Sequence, residues 1–183
     1  MSTMLVVRAA GALLVLSSLA FAQQPQDQQT SRLSEQDAKI LHEIRRAHLK
    51  AVAAGKVALD RARVEAVRKY AQLIVDTHGK LLEESDKLAK FKRLEVPAAL
   101  DGEDEPVSKS LRDTPDDRFD RVFLTLALEA QGRALELARR AATAARDPNL
   151  KALATKTAAH LEKQLEIGRE LAHSLGALPA RAP

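Results

Sequence analysis

The sequence predicts an all-α protein, a four-helix bundle with a long connection between helices 2 and 3, and three observations carry that prediction. Apolar residues recur at alternating spacings of three and four along four separate stretches. No stretch alternates apolar and polar residues as a half-buried strand does. The periodic stretches are divided by residues that cap or break helices.

Arg8, an apolar run from Ala9 to Phe21 and the triplet Ala20-Phe21-Ala22 precede the bundle and read as a secretory signal peptide over residues 1–22, cleaved near Ala22. The run falls short of the roughly 20 apolar residues that a membrane-crossing helix needs. The protein is therefore expected in the periplasm or outside the cell, with no transmembrane segment. It has no Cys, so neither a disulfide nor a Cys-borne lipid anchor can form. Residues 23–33 are rich in Gln and too polar to offset their ordering entropy, which predicts a flexible linker. The bundle domain is expected over 34–175 and a disordered tail over 176–183.

Ser34 is placed to cap helix 1, with Asp37 three residues on as the acidic member of a capping box. The stripe of helix 1 is Leu41, Ile44, His48, Ala51, Gly55, Ala58 and Ala62, mostly small residues that admit a close neighbour. After a break near Arg63, helix 2 presents Val64, Val67, Ala71, Ile74, His78, Leu81, Ser85 and Leu88, a seam that must face another helix. From Glu95 to Thr114 the periodicity disappears. Pro97, Gly102 and Pro106 punctuate this stretch, and the acids Asp101, Glu103, Asp104 and Glu105 lack the frame of a calcium loop, so they read as solvated. Thr114 as N-cap with Pro115 in the first turn predicts the start of helix 3, which runs to about Arg146. Asp147 and Pro148 open helix 4, whose stripe reads Leu150, Leu153, Thr157, His160, Gln164, Ile167 and Leu171 before Gly176 and Pro179 end it.

Composition excludes several function classes. The 29 basic and 25 acidic residues are interleaved, the pattern of a solvated helix surface, and Arg139, Arg140 and Arg146 fit it. Aromatic residues make up 3% of the chain, too few to stack nucleic-acid bases. There is no Cys nucleophile, Gly-x-Ser-x-Gly elbow or Gly-rich phosphate loop, so no enzyme template is present. Helix 3 carries Ala127, Ala130, Ala134, Ala138, Ala141, Ala142 and Ala144, enough small surface to leave a homo-oligomer open, as is an envelope-protein partner.

The stripes are interrupted by polar residues near mid-helix: His48, His78, Thr157, His160 and Gln164. A di-metal bundle needs inward carboxylates and Glu-x-x-His pairs on two helices, whereas this chain has one such pair, Glu170 to His173, in the last turn of helix 4. A metal-free polar core satisfied by hydrogen bonds is therefore expected, and no cofactor. The alternative is a weak transition-metal site on His48, His78 and His160, without carboxylates.

Three segments carry a resemblance: Tyr70 through Asp76 to His78, Phe119-Asp120 through Leu124, and Asp147-Pro148 through Thr157 to Leu171. In order and spacing they resemble the exported bacterial family known as domain of unknown function 4142, and the resemblance implies a ferritin-like bundle. It also implies four presumptive ligands: a Glu in helix 1, a His in helix 2 and one His in each of helices 3 and 4. Carried onto this chain, these positions are Ala51, His78, Gln131 and Gln164, so three are degenerate. The reading is an exported, non-enzymatic binding or envelope-stress module with a degenerate metal site; the rival is a metal-binding or redox protein using the displaced histidines.

Overall fold

The computed structural model describes residues 32–100 and 106–177, which form α1 (Glu35–Arg61), α2 (Glu65–Phe91), α3 (Pro106–Arg112), α4 (Phe119–Ala144) and α5 (Pro148–Ser174). Among the described residues there is no strand. The leader, all but the end of the linker, the acids between 101 and 105, and the tail beyond Ala177 lie outside them.

Capping chemistry explains most of the helix ends. The Ser34 hydroxyl accepts from the Asp37 N–H at 3.1 Å, as predicted, but the Asp37 carboxylate does not complete a capping box. It accepts instead from the backbone N–H groups of Arg146 and Asp147, at 3.1 and 3.0 Å. Two charge-assisted bonds to amides in the α4–α5 turn outweigh the single bond of the local motif. Asp147 caps α5 as expected, accepting from Asn149 and Leu150 at 2.9 and 3.1 Å, with Pro148 in the first turn.

The predicted start of the third long helix is displaced. Thr114 does not cap it: its hydroxyl donates backwards to the Ser110 carbonyl at 2.7 Å, finishing the short α3. Residues after Pro115 make a tight turn in which Arg118 N–H meets the Pro115 carbonyl at 3.1 Å, and α4 begins only at Phe119. The other end moves too, α4 stopping at Ala144 rather than Arg146. α3 is a fifth helix inside the expected irregular connection; at 7 residues it is too short to show a period.

Two helices end in the same motif on different residues. After α5, Ala177 N–H reaches the Ala172 carbonyl at 2.8 Å and Gly176 takes the left-handed conformation at φ 62. After α2, Leu94 N–H reaches the Ala89 carbonyl at 2.9 Å, and the left-handed residue is Arg93 at φ 54.

α1 packs along α2 and α4 along α5, and the two hairpins join through α2 against α5 and α1 against α4. At the C-terminal end of α1, Arg61 donates to Asp116 and to the Thr114 carbonyl, each at 2.6 Å, and its guanidinium lies 4.7 Å above the Phe119 ring. At the opposite end, Arg45 of α1 pairs with Asp86 of α2. α2 and α4 thus both run opposite to α1, so the end of α2 and the start of α4 lie at opposite ends of the bundle, with α3 packed on α1 and α4.

The core forms two apolar clusters. One gathers Val67, Tyr70, Phe119, Phe123 and Leu165; the other gathers Leu41, Ile44, Leu88, Leu150 and Leu153. His48 and His78 lie along their helices between the residues of the two.

The buried face of α5 differs from the predicted stripe. Leu150, Leu153, Thr157 and Gln164 are buried as predicted, but Leu161, Gly168 and Ala172 are buried in place of their predicted neighbours, so His160 is exposed, Ile167 is 45% exposed and Leu171 is only half-buried. Spacings of three and of four both keep a residue on one stripe, so periodicity alone does not choose between such neighbours.

Candidate functional site

His48 of α1 and His78 of α2 are each 1% exposed, and their Nδ1 atoms lie 3.0 Å apart. One Nδ1 must carry the hydrogen and the other must accept it, so the two rings hold opposite tautomers when both are neutral. Burial, and then the neighbouring ring, lower His48 from 6.5 to about 3. Burial also lowers His78 to about 4; the Gln164 amide beside it acts the other way, and the like charge of His160 adds to the depression. The pair is uncharged at neutral pH. Each Nε2 is buried without a hydrogen-bond partner.

Above this pair sits a second set of polar groups. The Tyr70 hydroxyl lies 3.2 Å from Gln131 Oε1 and 3.1 Å from the Gln164 backbone carbonyl, with one hydrogen for two acceptors. Burial pushes this phenol well above its usual range, so it stays protonated. Gln164 Nε2 donates to the Leu73 carbonyl at 3.2 Å. Gln131 Nε2, Gln164 Oε1 and Thr157 Oγ1 are buried with no partner. Gly168 makes room for this arrangement: a Cβ there would stand 2.2 Å from the Tyr70 hydroxyl oxygen.

A cavity of 260 Å³ opens between α1 and α4 beside these groups. Ala51, Ala54 and Gly55 line it from α1, Ala127, Ala130 and Ala134 from α4, and Val107 and Leu111 of α3 close one side. His78 and Gln131 give onto it, and the exposed Arg133 stands at its edge, ion-paired with Glu129 at 3.8 Å. Helices crowded with Ala leave this space because a methyl group fills less than the axes are apart. At Ala51 the missing side chain is part of the cavity itself.

The structure therefore brings together His48 and His78, sets Gln131 and Gln164 against Tyr70, and puts Ala51 on the cavity wall. It does not bring His160 to the pair: that side chain is on the exposed side of α5, contrary to its predicted inward place. Ser85 is a core residue as expected, fully buried and donating to the Leu81 carbonyl at 2.8 Å. Tyr70 and Gly168 are the members that the periodicity did not single out. Tyr70 sits next to the chosen stripe residue Ala71, and its hydroxyl was the available signal. Among the described residues, no three His, Cys, Asp or Glu side chains are grouped closely enough to hold a metal, and no helix is long and apolar enough to cross a membrane.

The fold is shared with a crystal structure of a DUF305 fragment from Deinococcus radiodurans, at a TM-score of 0.69 and 14% identity over 78% of this chain and 99% of that one. No curated protein matches the chain. The family described as Domain of unknown function (DUF4142) matches residues 22–171, which takes in all five helices but the last three residues of α5. With that match, and with the helical bundle in hand, the chain belongs to the DUF4142 family.

Proposed function

We propose that this protein is an exported, non-enzymatic binding module, a ferritin-like bundle whose metal centre is degenerate. The observation that carries it is the surroundings of His78: Ala51 offers no donor atom, and Gln131 and Gln164 present neutral amides engaged with Tyr70 and Leu73. The four positions implied by the family resemblance thus retain one good ligand, and that ligand is bonded to His48. The residues present do not fit a carboxylate-bridged centre. The long return between α2 and α4 supports the ferritin-like reading, since such bundles use one long crossover. Export is supported by residues 1–22, and amino-terminal sequencing of protein recovered from the periplasm tests it, with a start at Gln23 expected.

A second reading, a weak transition-metal site, is favoured by the same pair. Two Nδ1 atoms 3.0 Å apart approach the roughly 3.3 Å spacing of two ligands bound at about 2.0 Å around a tetrahedral ion. His160 would have to turn inward from the surface to join them. Melting the protein with Zn²⁺, Cu²⁺ and Fe²⁺ in turn separates the readings. An unchanged melting temperature and no oxidation of ferrous iron are expected; a metal-dependent rise that His78→Phe abolishes would establish the second reading, because a native-state ligand must stabilise the fold.

A further inference from the structure

The cavity between α1 and α4 is walled mostly by apolar side chains, Ala54, Ala127, Val107 and Leu111 among them. Gln131 and His78 also border it, but their unpartnered nitrogens are buried and offer an entering molecule no bond. Its polar character comes from charge instead. Among the described residues that line it, Lys50 of α1 and Arg133 of α4 are charged, both are cations, and none is Asp or Glu.

The two cations share a level. α1 and α4 run in opposite directions, with Arg61 of α1 over Phe119 at one end and Asp37 bonded to the Arg146 amide at the other. Lys50 and Arg133 each fall about midway between those contacts, so they leave facing helices at about the same height. Lys50 is half-buried and Arg133 exposed, which sets the positive charge toward the mouth and the apolar walls beneath it. Both side chains are already engaged, Arg133 with Glu129 at 3.8 Å. A guanidinium has five N–H donors and an ammonium three, so each can hold a further acceptor without giving up its own partner.

These features set the properties of an occupant. A small hydrophilic anion would leave the walls wet, a pure hydrocarbon would gain nothing from the cations, and a cationic head would meet like charge twice. An apolar cavity of about 150 Å³ is enough to take benzene, so 260 Å³ suits a molecule of about ten non-hydrogen atoms. We propose that this cavity binds a small anionic amphiphile, a carboxylate on a short hydrocarbon chain, with the chain between Ala51 and Ala127 and the head group held at the mouth by Lys50 and Arg133. This rests on reading the protein as a binding module, and it names the site and the ligand class. Mostly apolar walls with a few polar groups that set orientation are the usual make-up of a small-molecule site. Ala51 admits the chain, since any longer side chain at this position grows into the space.

Octanoate, octan-1-ol and octylammonium, which share one chain length and differ in the charge of the head, test it with the full exported chain. Octanoate is expected to raise the melting temperature saturably, octan-1-ol to bind about tenfold more weakly, and octylammonium to have no effect. Hexanoate, two methylenes shorter, is expected to bind about tenfold more weakly than octanoate. Lys50→Gln/Arg133→Gln is expected to bring octanoate to the level of octan-1-ol and to leave octan-1-ol unchanged. Arg133→Gln, at an exposed position, is expected to weaken octanoate severalfold and serves alone if the double variant does not fold. Ala51→Leu is expected to abolish both responses while melting cooperatively, which separates the cavity from binding elsewhere on the surface. No saturable rise with octanoate overturns the proposal. So does octan-1-ol, octylammonium or hexanoate binding as tightly as octanoate, or an undiminished octanoate response in the charge variants or in Ala51→Leu. The metal titration fails or succeeds separately: a stabilising metal ends the degenerate-centre reading without touching the probe result, and absent probe binding leaves that reading in place.

Discussion

At the end of the bundle where α2 and α4 terminate, polar side chains are buried in a fully bonded set. Lys92 Nζ lies 2.7 Å from Asp147 Oδ2, with the two side chains 0% and 8% exposed. Asp147 also caps α5, Asp37 holds the Arg146 and Asp147 amides, and Arg45 bridges Asp86 and the Pro97 carbonyl. Midway along the bundle the buried polar groups are incompletely bonded: His48, His78, Gln131, Gln164 and Thr157 each retain an unpartnered atom. The first set ties chain ends together, and every member has a reason in the fold. The second joins α1 to α2, α2 to α4 and α5 to α2 through single bonds, and it borders a cavity. Saturated polar contacts mark architecture in this molecule; the incompletely bonded ones mark the candidate site.

The contrast can be broken most forcefully at Lys92. Lys92→Met leaves the Asp147 carboxylate without its buried cation, and unfolding in urea is expected to show a loss of about 3–5 kcal/mol. A loss within the error of the extrapolation would mean that the bonded set is not architectural.

The next effect belongs to the histidine pair and depends on pH. Their native values are depressed, to about 3 and about 4, below the unfolded value of 6.5. The unfolded chain therefore takes up protons that the native state resists. The contribution of the neutral pair is complete above about pH 6.5 and is lost as pH falls toward 4, by up to about 1.4 kcal/mol per pH unit for each proton. Urea unfolding at pH 7, 6 and 5 should show the steeper fall in the native protein and a flatter one in His48→Leu/His78→Leu. Equal slopes would place the pair in contact with water.

Smaller effects sharpen the same comparison. Asp37→Ala removes two charge-assisted bonds to the α4–α5 turn and is expected to cost about 2 kcal/mol, read as a lower urea midpoint. Arg93→Gly relieves a left-handed conformation that Gly176 occupies without strain after α5, and it should raise stability by about 1 kcal/mol, visible as a higher melting temperature.

How far these features could be read in advance varies from residue to residue. The seam of α2 was legible from its second member on: Val67, Ala71, Ile74, His78, Leu81, Ser85 and Leu88 are all buried, while Val64, its predicted first member, is the half-buried N-cap. Its periodicity is strict and its neighbours are large enough to mark the face. α5 was misread at His160 because His160 and Leu161 follow Thr157 by three and four residues, spacings that both keep to one stripe, and packing buries Leu161. The meeting of His48 with His78 was legible as two inward imidazoles; their contact at 3.0 Å was not, since it depends on the relative register of two helices.

Local chemistry by itself determined that the chain is helical, that Ser34 and Asp147 open helices, that Gly176 closes one, and which face α2 buries. These follow from bonds and spacings within a few residues. Tertiary structure decided the rest. It drew the Asp37 carboxylate across to amides more than a hundred positions away, turned His160 outward and opened the space beside Ala51. All three depend on how the helices pack, because only the folded chain brings groups distant in sequence within reach of one another.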